Sequence, residues 1–121
     1  TSNFTDIGNM FYNCTSLTNI NVSNWNTSNV IAGYNVFYNC SSLQNLNISN
    51  WNTTNMSNLS NIFGEMNNLK QISLGDKFSF KGNGNTWATL PKGIWKSSST
   101  GIEYSFNTIP NSKADTYTKV E

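Results

Sequence analysis

A 26-residue period runs through residues 1–76, and it constrains the fold more than any other feature of the chain. Trp25 recurs as Trp51 inside the strings Ser23-Asn24-Trp25-Asn26-Thr27 and Ser49-Asn50-Trp51-Asn52-Thr53. Phe11, Phe37 and Phe63 are in register, as are Leu17, Leu43 and Leu69. So are Ile20, Leu46 and Ile72, then Val22, Ile48 and Leu74, and the set Phe4, Val30 and Met56. Cys14 recurs as Cys40 and becomes Met66. Apolar positions are kept while the Asn, Ser and Thr between them drift. Those three residue types fill 52 of 121 positions, a composition that taken alone suggests disorder. The strict period argues instead for a stack in which each unit lends its apolar face to the next.

Two shorter periods run within a unit. Val30, Gly33, Val36, Phe37 and Cys40 step by three or one, which predicts a short helix with Asn29 as its N-cap. Leu46 and Ile48 then alternate with Asn45, Asn47 and Ser49, which predicts a short strand with one buried face. Ser49 to Asn55 reads as a turn around Trp51. The expected fold is therefore an α/β solenoid, a short leucine-rich-repeat stack with a strand and a short helix in each 26-residue repeat.

The string Phe37-Tyr38-Asn39-Cys40-Ser41-Ser42-Leu43, with Leu46, Ile48, Ser49-Asn50-Trp51-Asn52-Thr53 and Asn55-Met56, resembles the BspA-like leucine-rich repeats. More narrowly, it looks like the 26-residue type found in surface proteins of lactobacilli and related low-GC Gram-positive bacteria. The resemblance covers residues 1 to about 76. It implies an extracellular, cell-surface location, no enzymatic activity, and adhesion to a host glycan, mucin or extracellular matrix protein. The third unit departs from the pattern, because Gly75-Asp76-Lys77 replaces Ser-Asn-Trp.

Residues 77–121 follow other rules and read as a β-rich C-terminal cap, with a small appended domain as the alternative. Phe78 and Phe80 alternate with polar neighbours, which predicts a strand, and Gly82 to Asn85 a turn. Ile94–Lys96 and Ile102–Phe106 are expected to form a hairpin, with a last strand from Tyr117 to Val120. A cap covers the last apolar layer that a repeat stack would otherwise expose.

Charge narrows the function classes. The chain has no His and no Arg, and Asp6 is the only carboxylate in residues 1–64. All seven Lys lie from Lys70 onward, and the net charge is +1. These counts predict no catalysis, no metal, no cofactor and no nucleic-acid partner. A glycan hydrolase would need two convergent carboxylates, for which only Glu103 and Asp115 remain. No run of apolar residues is long enough to span a membrane. The first residue is Thr, and the expectation is a monomeric fragment of a longer exported protein, with an open apolar edge at its first unit.

The candidate binding residues lie on the polar face of the strands. Side chains alternate, so stacking aligns Asn19 with Asn45 and Gln71, and Asn21 with Asn47 and Ser73. Amides and hydroxyls offer both donors and acceptors, which suits neutral glycans or extended peptide. Trp25 and Trp51 are candidates for stacking on a sugar ring, with a packed ladder as the alternative. Cys14 and Cys40 are expected to be free, because neighbouring units hold them at matching positions too far apart for a disulfide. Nine Asn-x-Ser/Thr sequons occur, and abundance of the three residue types accounts for them. The alternative to adhesion is a structural spacer or stalk with no ligand of its own.

Overall fold

A computed structural model describes residues 5–84 and 87–120. Thr1 to Phe4, Asn85, Thr86 and Glu121, and the expectations that fall on them, lie outside the described residues. Among the described residues the fold is all β, with five strands in one open mixed sheet and no helix. The strands are β1 (Asn45–Ile48), β2 (Gln71–Leu74), β3 (Ile94–Ser97), β4 (Glu103–Ser105) and β5 (Asp115–Val120). Their order across the sheet is β1-β2-β5-β3-β4.

The α/β solenoid and its leucine-rich-repeat helices are therefore corrected. Residues 34–39 form successive turns, Ala32 before them sits in a parallel bridge, and Asn29 caps no helix. Hydrogen bonding gives the reason. In a helix every N–H would serve its own segment. Here alternate N–H groups leave the unit: Asn35, Phe37 and Asn39 donate to the carbonyls of Ser60, Ile62 and Gly64 at 3.0, 3.1 and 2.8 Å. Those of Tyr38 and Cys40 close local turns on Asn35 and Phe37, both at 3.1 Å. Successive turns also step by three residues, so they present the same apolar spacing as a helix. Left-handed backbone breaks the helix as well. Asn9, Asn35 and Asn61 have φ of 61°, 58° and 57°, and Asn13, Asn39 and Glu65 have φ of 60°, 60° and 56°. Asn tolerates that conformation better than most side chains, which is why it recurs there.

Units still stack in register. β1 and β2 are parallel, with Asn45 opposite Gln71 and Ile48 opposite Leu74. Parallel bridges join Asp6 to Ala32 and Ala32 to Asn58. Phe11 lies over Phe37 with ring centroids 5.8 Å apart and planes 4° apart, and Phe37 over Phe63 at 6.3 Å and 1°. Trp25 and Trp51 stack likewise at 6.0 Å and 9°. Residues 19–22 form no strand, so the sheet begins at the second unit. At the third, Gly75 occupies the position of Ser49. A Cβ on Gly75 would sit 1.9 Å from the Ser49 carbonyl oxygen, so the close backbone approach requires glycine.

Beyond residue 76 the chain folds back onto the same sheet and core. β5 pairs antiparallel with β2 and covers its edge. β3 pairs with β5 and with β4, the latter as the expected hairpin. Phe78 and Phe80 are both buried in irregular chain instead of forming a strand. The Phe78 carbonyl accepts from Ser112 N–H, and the Phe80 carbonyl from Ala88 N–H. Leu46, Ile48, Ile72, Leu74, Trp95 and Tyr117 fill the inner face of the sheet, against Phe37, Phe63 and Met66 from the turn segments.

Candidate functional site

Alternation along the strands decides what the outer face of the sheet presents. β1 reads exposed, buried, exposed, buried, which puts Asn45 and Asn47 outward and Leu46 and Ile48 inward. Pairing extends this into a transverse row of exposed side chains: Asn45, Gln71, Thr118, Lys96 and Glu103. A second row runs Asn47, Ser73 and Thr116. At the first end of the sheet the face dips into a groove of about 280 Å³. Asn19, Asn45, Asn47, Gln71 and Ser73 line it, with Ile20 and Leu46 beneath. Five of the eight candidate residues thus converge.

The groove residues differ in how free they are. The amides of Asn19 and Asn45 carry no hydrogen bond among the described residues. The carbonyl oxygen of the Asn47 side chain accepts from Ser49 N–H at 3.0 Å and from its hydroxyl at 2.7 Å. Ser73 and Thr116 share a hydroxyl bond of 2.9 Å, and Gln71 reaches Thr118 at 3.5 Å. Asn21, outside the groove, accepts from Ser23 in the same double manner as Asn47. Trp51 is fully buried and its indole N–H donates to the Val22 carbonyl at 3.2 Å. It is therefore out of reach of a ligand, and Trp25 is half-buried above it.

The remaining chemistry is dispersed. Cys40 is buried and free, and Cys14 is half-buried and free. Burial, with the neighbouring Cys14 second, raises the Cys40 thiol to about 11, so it stays protonated at neutral pH. Glu103 and Asp115 do not converge. Glu103 lies opposite Lys96, and Lys96 opposite Thr118, on the outer face. Asp115, three residues before Thr118, has the opposite parity and bonds Ser97 and Ser99. Among the described residues no three His, Cys, Asp or Glu side chains are placed to share a metal ion. No helix there is long and apolar enough to cross a membrane.

Sequence comparison supplies the family. Residues 1–89 match DUF285, described as Mycoplasma protein of unknown function. The chain belongs to DUF285. No curated protein and no solved structure matches it. In this DUF285 chain the match spans the three units and the start of the segment that covers them.

The sequons proved to carry a structural device that composition concealed. Asn21, Asn26, Asn47, Asn52 and Asn58 each accept from the N–H and the hydroxyl of the Ser or Thr two residues on. The available signal was the recurrence of Asn21 as Asn47 and of Asn26 as Asn52 one period on, since Asn favours such local turns; Asn58 has Ala32 at the matching place and gave no such sign.

Proposed function

We propose that this DUF285 chain is a non-enzymatic binding module of a bacterial cell surface. It holds a neutral, hydrogen-bonding polymer, a host glycan, mucin or matrix protein, along the outer face of the sheet. The observation that carries the reading is the groove of about 280 Å³ whose polar lining is entirely amide and hydroxyl. Two of its amides, Asn19 and Asn45, are uncommitted to the fold. Amides that both donate and accept match the hydroxyl and acetamido groups of neutral glycans. The surface location and the adhesive role rest on the resemblance of the repeats to BspA-like proteins, which is an argument by analogy.

A second reading is a spacer with no ligand. It draws on the ties of Asn47 to Ser49 and of Ser73 to Thr116, which give those polar groups structural work. A glycan and matrix-protein array probed with wild type and with Asn19→Ala/Asn45→Ala separates the two. The binding module gives a signal that the double variant loses. A signal the variant keeps removes the groove as the site, and silence from a folded monomer favours the spacer.

A further inference from the structure

The turn segments carry donors that point from each unit toward the next. Asn9, Phe11 and Asn13 donate their N–H groups to the carbonyls of Tyr34, Val36 and Tyr38 at 3.0, 2.9 and 2.9 Å. Asn35, Phe37 and Asn39 repeat the pattern onto the third unit. The matching donors of the third unit are Asn61, Phe63 and Glu65, and their N–H groups meet no acceptor among the described residues. The chain that follows reproduces only the start of another layer, where Asn83 N–H donates to the Met56 carbonyl at 2.6 Å. It then departs into the capping segment. Between the third unit and that segment lies a cavity of about 390 Å³. Asn61, Phe63 and Glu65 line one wall, and Thr89, Leu90 and Phe106 line the other.

We propose that this cavity binds a short stretch of a partner polypeptide through its main chain. Carbonyls of alternate residues accept from Asn61, Phe63 and Glu65, as those of Ser60, Ile62 and Gly64 accept from the unit before. The occupant's chemistry follows from an interface the molecule already builds twice. A row of N–H donors at every second residue reads a backbone with carbonyls at the same spacing, the mode used in strand addition. The volume lies within the range of about 300–1,000 Å³ typical of small-ligand sites, so it suits a few residues and not a folded domain. The site is separate from the polar groove, and neither depends on the other.

The test is a titration of the ¹⁵N-labelled chain with a peptide copying Ser60–Glu65, acetylated and amidated at its ends. At about 1 mM peptide, within reach of weak binding, the amide protons of Asn61, Phe63 and Glu65 move downfield. Their exchange with solvent slows at least about tenfold. The amides of Ile62 and Gly64, already bonded to Leu59 and Asn61, stay put. Thr89→Trp fills the cavity from an exposed position and abolishes the shifts while the rest of the spectrum is retained. Unmoved amides, shifts confined to other residues, or shifts that survive Thr89→Trp overturn the proposal. So does a change in those amides with protein concentration alone, which would make the occupant a second copy.

Discussion

Tyr117 carries the only buried side-chain polar atom without a hydrogen-bond partner among the described residues. Burial, with the charge of Asp115 and the Tyr104 hydroxyl behind it, raises its phenol to about 12. A buried unpaired hydroxyl costs stability, so Tyr117→Phe is expected to leave stability unchanged or raise it by up to about 1 kcal/mol in urea denaturation. A clear loss would show that the hydroxyl has a partner. Asp115 is the opposite case. Burial raises its pKa, but the Ser97 and Ser99 hydroxyls and the N–H groups of Thr116 and Ser99 more than offset that, and the net shift is downward. A lowered folded value means the carboxylate stabilises the fold fully above the unfolded value of about 3.9 and loses that contribution as pH falls through the folded one. Asp115→Asn should therefore be less stable than wild type at neutral pH, and the gap should narrow in acid below about pH 4. A gap that is constant with pH would refute the assignment. At this scale the sequence was legible for what is buried and opaque for what is tied. Asn45 and Asn47 look alike in the string, yet only Asn47 is bonded to a neighbour, because Ser49 follows two residues later.

Thr27 and Thr53 show how an element is fixed to its neighbour. Each is buried, and each hydroxyl bridges to the next layer of chain. The Thr53 hydroxyl donates to the Ser79 carbonyl at 2.9 Å and accepts from Ser79 N–H at 2.7 Å. Thr53→Val keeps the shape and strips both bonds, leaving two backbone groups unpaired, so a loss of about 2 kcal/mol is expected. The exposed control Thr18→Val should change stability by less than about 0.5 kcal/mol. Equal effects from the two would deny the bridge any role. The strand at Asn45–Ile48 was legible in advance, because Leu46 and Ile48 alternate with amides, yet the same alternation at Ile20 and Val22 and at Phe78 and Phe80 gave no strand. The turn segments were not. Val30, Gly33, Val36, Phe37 and Cys40 fit a helix as well as they fit consecutive turns. The discriminating sign was the pair of Asn residues four apart at Asn35 and Asn39, repeated at Asn9 and Asn13, since Asn is a poor helix former and a good left-handed residue.

The whole molecule is held by contacts between layers as much as within them. The ring ladders, the parallel strands and the alternate N–H donors all run along the stacking direction. Asn extends the same direction on the surface, where the Asn35 amide donates to Asn9 at 3.2 Å and the Asn39 amide to Asn13 at 3.0 Å. The abundance of Asn, Ser and Thr is thus part of the architecture and not a mark of disorder. Period and layer spacing could be read from the sequence, as could the polar strand face. The way β5 inserts between β2 and β3 could not, because its pairing with β2 joins residues more than 40 apart with no repeated signature. Above all, the turn segments bond forward to the next unit and not inward as helices. Scalar coupling across hydrogen bonds tests it most directly, in the uniformly ¹³C,¹⁵N-labelled chain. The amide nitrogen of Phe37 should couple to the carbonyl carbon of Ile62, as Asn39 should to Gly64. Coupling of Phe37 to the carbonyl of Gly33 instead would mark a helix and rule out the forward bonding.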